Sequence, residues 1–120
     1  MIRNRPYEDK DSGLVALVTT PIGNRDDITL RALNFLKEAD IIACEDTRNT
    51  SLLLSYYGIK NKKYVSLYAQ TEAKEAHAMV LSVKKNKQKL AYCSDAGMPG
   101  ISDPGAILVQ ACHEENVPVT

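Results

Sequence analysis

The chain has 120 residues, 44% of them hydrophobic and 25% charged, with a formal net charge of zero; that suits one modest core and excludes a collagen-like or wholly disordered chain. No apolar run nears the ~20 residues that span a bilayer, and the opening stretch mixes both charge signs, unlike a secretory leader, so a cytoplasmic protein with no membrane partner is expected. Cys44, Cys93 and Cys112 are odd in number, show no Cys-x-x-Cys spacing and sit in apolar runs, which argues for small buried hydrophobes and against a disulfide framework or a metal site.

Residues 1–13 are polar and aperiodic and read as a flexible tail. Residues 14–20 form an apolar, β-branched run closed by Pro21 and Gly23, a strand followed by a loop. Residues 29–39 place Leu30, Leu33, Phe35, Leu36 and Ala39 at near-helical spacing, after an Asp26-Asp27 pair suited to a helix start. A second buried run, residues 41–44, ends in Glu45-Asp46. Residues 50–57 are helical in period and stop at Gly58, a C′ glycine. Residues 64–68 predict a third strand, and residues 71–85 a helix with Ala73, Ala76, Val80 and Val83 on one face. Residues 90–93 predict a fourth strand, followed by a loop rich in Gly, Pro and Asp from Ser94 to Gly105. Residues 106–115 read as a helix, and residues 117–120 start a fifth strand.

Such alternation calls for an α/β fold: a mostly parallel five-stranded sheet with helices on both faces, joined by right-handed crossovers. Ligands of such sheets bind at the carboxyl ends of the strands. The polar and glycine-bearing clusters of this chain, residues 19–27, 45–50, 68–72 and 94–105, all follow strand ends. Charge is uneven as well. Residues 60–89 carry +6 and the remainder −6, an asymmetry that suits either a nucleic-acid-facing patch or cations opposing helix dipoles at helix ends.

The first loop, Thr19-Thr20-Pro21-Ile22-Gly23-Asn24, lacks the spacings of a dinucleotide fingerprint and of a P-loop. Its proline and glycine give a bend with exposed backbone polar groups. The segment 94–105 is more specific, with three glycines, two prolines and two Ser-Asp pairs directly after a buried strand. Glycine lets backbone approach a ligand closely, and proline restricts the loop beforehand. Ser102 or Asp103 could instead cap the next helix, with Pro104 at its first position; that reading leaves Asp95 unexplained.

Three ordered segments resemble one branch of the tetrapyrrole-methylase superfamily, the small-subunit ribosomal RNA 2′-O-ribose methyltransferases acting on a cytidine. They are Thr20-Pro21-Ile22-Gly23-Asn24 with Asp27-Ile28-Thr29-x-Arg31-Ala32-Leu33, then Ala43-x-Glu45-Asp46-Thr47-Arg48, then Ser94-Asp95-Ala96-Gly97-x-Pro99-x-Ile101-Ser102-Asp103-Pro104-Gly105. The resemblance implies that residues 14–120 are the N-terminal domain of a two-domain class III methyltransferase, with the C-terminal domain absent and the fragment inactive alone. It implies S-adenosyl-L-methionine as cofactor, small-subunit ribosomal RNA as substrate and no metal. One departure is the segment Tyr68-Ala69-Gln70-Thr71-Glu72, where the family often carries His and Asn. By the same resemblance Thr20, Pro21, Gly23, Asn24, Ser94, Asp95, Ala96, Gly97 and Pro99 belong to the cofactor side.

A ribose hydroxyl needs a nearby base, for which Glu45, Asp46 and Asp27 are candidates at the strand edge. Arg48 suits a phosphate contact, and a Glu45–Arg48 pair ordering the loop is the structural alternative. His77 reads as a surface residue, and Tyr56 and Tyr57 as core packing. A surface left for the second domain suggests a homodimer. Two other readings stay open, a tetrapyrrole C-methyltransferase and a non-catalytic folding or dimerisation module. The Thr-Pro-Ile-Gly-Asn and Glu-Asp-Thr-Arg segments favour RNA over the first.

Overall fold

The structure is a computed structural model that describes residues 13–21, 24–67, 73–95 and 103–120. Its strands are β1 (Leu14–Thr20), β2 (Ile41–Cys44), β3 (Lys63–Ser66) and β4 (Lys89–Asp95). Its helices are α1 (Leu30–Glu38), α2 (Thr47–Tyr56), α3 (Ala73–Asn86) and α4 (Asp103–Glu115), with a 3-10 turn at Arg25–Asp27. The strands form one parallel sheet in the order β1-β4-β2-β3. Among the described residues the sheet therefore has four strands, which corrects the expectation of five. The segment after α4 contributes only a parallel bridge, Val15 with Val119, beside β1. Pro118 has no N–H to donate, and the segment's hydrogen bonds to β1 are those of Val15 and Leu17 N–H to the carbonyls of Pro118 and Thr120, and of Thr120 N–H to Val15.

Side chains alternate across a strand, and the sheet divides its apolar residues accordingly. Ala16, Val18, Ile42, Cys44, Ala91 and Cys93 pack under Leu36 and Ala39 at α1 and Leu54 and Ile59 at α2. Val15, Ile41, Ala43, Leu90 and Tyr92 pack under Ala76, Val80 and Val83 of α3 and Leu108, Ala111 and Cys112 of α4. Ala73, expected on the buried face of α3, is exposed. All three cysteines are buried and unbridged.

Local chemistry sets the ends of the helices. The Thr29 hydroxyl accepts from Ala32 N–H at 3.0 Å, so α1 starts at its own cap. The Asp26-Asp27 pair lies in the preceding 3-10 turn, where Asn24 is the cap. Asp46 caps α2, accepting from Arg48 and Asn49 N–H at 3.1 Å each, and carries that helix three residues further back than its apolar period suggests. Gly58, at φ +80°, terminates it. Lysines close two others. Lys62 Nζ donates to the carbonyls of Lys37 and Ala39 at the end of α1, and Lys84 Nζ to that of Glu115 at the end of α4. Part of the lysine-rich stretch thus serves helix ends.

Candidate functional site

β1 and β4 lie side by side in register, with Thr19 opposite Ser94 and Thr20 opposite Asp95. Parallel pairing brings both carboxyl ends to the same rim, so the loops that leave them start next to each other. β1 leads to α1 on one face and β4 to α4 on the other, the divergence at which parallel sheets receive ligands. Two of the three motif segments thus meet here. The third reaches the rim from the next strand. β2 pairs with β4 through Ala43 and Tyr92, so Glu45, two residues on, leaves β2 level with Ser94.

Thr20 is 4% exposed, and its hydroxyl donates to the Ser94 carbonyl at 3.0 Å. That bond spans the two strand ends and makes Thr20 a tie between them. Pro21 follows half-buried, and Asn24 is exposed with its side-chain oxygen accepting from Asp26 N–H at 3.0 Å. Asp95 is the last residue of β4. Gly23, Ala96, Gly97 and Pro99 lie outside the described residues, as does the segment 68–72. Glu45 and Arg48 are both exposed, Glu45 at the end of β2 and Arg48 in the first turn of α2. No ion pair joins them among the described residues. Asp46 is committed to capping and is a poor choice of base.

Of the two tyrosines that read as core packing, Tyr57 does pack against the core and Tyr56 does not, and both hydroxyls carry a further contact. Tyr56 is 51% exposed; its hydroxyl donates to Asp26 Oδ1 at 3.1 Å, and the Arg25 guanidinium lies 4.9 Å from its ring centre. Tyr57 packs edge-on against Tyr56 and donates to the Arg25 carbonyl at 2.7 Å. Burial foremost, then the Asp26 carboxylate, push the Tyr57 phenol above its ordinary range, which keeps it a donor. The signal was available, since a half-buried tyrosine hydroxyl usually finds a partner; the identity of that partner was not. His77 lies between helices, its Nε2 2.8 Å from Glu114 and its Nδ1 3.4 Å from Glu115. Among the described residues no cluster of three or more His, Cys, Asp or Glu is placed to hold a metal, and no helix is long and apolar enough to cross a membrane.

The family model of the tetrapyrrole (corrin/porphyrin) methylases matches residues 14–120. The chain is 47% identical over 103 residues to the ribosomal RNA small subunit methyltransferase I of Hydrogenobaculum sp. (strain Y04AAS1), covering 86% of this chain and 44% of that protein. It is 43% identical over 111 residues to the protein of that name from Escherichia coli O157:H7, covering 92% and 38%. The chain thus spans less than half the length of these curated relatives. Among solved structures it resembles the cobalt precorrin-4 methyltransferase of cobalamin biosynthesis, with a TM-score of 0.68 at 16% identity, over 92% of this chain and 45% of that one. It also resembles a uroporphyrin-III C-methyltransferase from Thermus thermophilus complexed with S-adenosyl homocysteine, with a TM-score of 0.63 at 24% identity, over 89% and 46%. At those identities the likeness is one of fold.

Proposed function

The chain belongs to the tetrapyrrole (corrin/porphyrin) methylase family, and from that premise we propose that it is the N-terminal part of an S-adenosyl-L-methionine-dependent methyltransferase acting on small-subunit ribosomal RNA at a cytidine 2′-hydroxyl. The relatives named for small-subunit RNA methylation support the substrate, at 43–47% identity over nearly the whole chain. The observation that carries the site is the in-register pairing of β1 with β4, which starts the two motif loops from one rim.

The donor set on this rim fits the cofactor. It consists of backbone polar groups and the Ser94 hydroxyl at the strand ends, with Asp95 closing β4, and no metal-binding cluster is needed. Thr20, Pro21, Gly23 and Asn24 would hold one side, and Ser94, Asp95, Ala96, Gly97 and Pro99 the other. The bound cofactor supplies an electrophilic methyl group. The chain's own task is alignment, since in-line displacement is won chiefly by positioning. Glu45, level with Ser94, is the side chain we assign to take the ribose hydroxyl proton, and Arg48 the one to hold a flanking phosphate.

The test is ribose methylation of small ribosomal subunits by the full-length gene product. A folded preparation that leaves no 2′-O-methyl group on the RNA rejects the substrate. Glu45→Gln should lower kcat with little change in RNA affinity, whereas Arg48→Ala should raise KM for the RNA.

A further inference from the structure

The Arg25–Asp27 turn buries none of its own residues. Apart from its C-cap Ile28, which packs on the core, such an exposed turn has little to hold it and opens easily. This one is held from outside, by residues 30 and 32 positions away in sequence. Tyr57 takes the Arg25 carbonyl at 2.7 Å, Tyr56 takes the Asp26 carboxylate at 3.1 Å, and the Arg25 guanidinium covers the Tyr56 ring at 4.9 Å. Within the turn, Asn24 accepts from Asp26 N–H through its side chain and from Asp27 N–H through its carbonyl. The described residues at either end of the first loop are therefore both tied. Thr20 ties its start to β4 through Ser94, and the two tyrosines tie its finish to the end of α2.

We propose that Tyr56 and Tyr57 are positioning residues for the cofactor: by fixing the Arg25–Asp27 turn from α2 they hold Asn24, on the cofactor side, in place for binding. This rests on the reading above that the loop lies on the cofactor side. Neither tyrosine needs to touch the ligand. The hydroxyls matter because a loop ordered before binding has less conformational entropy to lose when the ligand arrives.

Two variants of the full-length gene product, Tyr57→Phe and Tyr56→Phe, each delete one hydroxyl and keep the ring. Affinity for S-adenosylhomocysteine by calorimetric titration and amide exchange at residues 24–28 are the readouts, with kcat at saturating cofactor as a third. One hydrogen bond of ordinary strength corresponds to a weakening of about two- to tenfold in Kd. The expected result for Tyr57→Phe is that loss together with faster exchange at Asp26 and Asp27, while kcat at saturation holds. Should Tyr57→Phe fail to fold, Tyr56→Phe carries the same test from an exposed position. Wild-type protein that binds the ligand, with variants that bind it equally well despite faster exchange, overturns this inference alone. Weaker binding with exchange unchanged overturns it too, since the effect would not pass through the turn. Wild-type protein that does not bind the ligand overturns the cofactor reading and this inference with it.

Discussion

Thr20 at the end of β1 and Ser94 near the end of β4 are joined by a hydroxyl-to-carbonyl bond of 3.0 Å, 74 residues apart in sequence. The bond is made by a side chain 4% exposed, so its loss is not readily made good by water. Thr20→Val keeps the shape and removes the donor. The expected cost is about 1–2 kcal/mol, read as a lower midpoint in urea, with Thr20→Ser retaining most of the stability. Equal midpoints for the valine and serine variants would show that the hydroxyl contributes nothing.

Asp46 accepts two N–H groups at the start of α2. Replacing such a cap by alanine costs about 0.5–2 kcal/mol, whereas asparagine caps nearly as well. Asp46→Ala should therefore destabilise and Asp46→Asn should be close to neutral. Were Asp46 instead the base of a methyl transfer, asparagine would abolish turnover while leaving stability alone. Measuring both quantities on both variants separates the two roles.

Two glycines with positive φ make a graded pair. Gly58 sits at +80° with open space where a Cβ would be, and Gly13 at +74° where that Cβ would meet the Val83 carbonyl oxygen at 2.7 Å. Gly58→Ala should cost only the left-handed penalty, about 1–2 kcal/mol. Gly13→Ala adds a clash with backbone and should cost more. Chemical denaturation in parallel would expose the wrong ranking directly.

Burial pushes the Cys112 thiol from 9.0 up to about 11. Below pH 9 the thiol is protonated in both folded and unfolded chains, and its contribution to stability is fully present. Between pH 9 and about 11 the unfolded chain releases this proton while the folded one keeps it, so stability falls as pH rises. That difference corresponds to about 2–3 kcal/mol. Cys44, Tyr57 and Tyr64 are shifted in the same direction, each mainly by burial, and add to the alkaline loss. Cys112→Ala should flatten the pH dependence of unfolding free energy over this window. An unchanged slope would contradict the assignment.

Where the sequence reading fell short, local side-chain chemistry had overridden periodicity. The α2 period starts at Thr50, yet the helix starts at Thr47 because the Asp46 carboxylate takes up two N–H groups that would otherwise lack partners. The acidic pair Asp26-Asp27 looks like a helix start, but Thr29 holds the cap and the pair is left in a 3-10 turn. Tyr56 reads as core from its place at a helix end, yet its ring stays exposed, while Tyr57 does pack on the core; both hydroxyls reach a turn 30 or more residues away.

Read alone, the chain's local order determined which segments become strands and which become helices: runs such as Leu14–Thr20 and Ile41–Cys44 carry their own β-branched pattern, and Gly58 its own stop. It also determined the motif segments, since these are short and contiguous. Only the tertiary structure decided that β4 inserts between β1 and β2, that residues 117–120 stop at a bridge, and that Glu45 emerges level with Ser94. Strand order is set by which pairings bury both faces of the sheet together. That is a free energy summed over contacts distant in sequence, and no local window contains it.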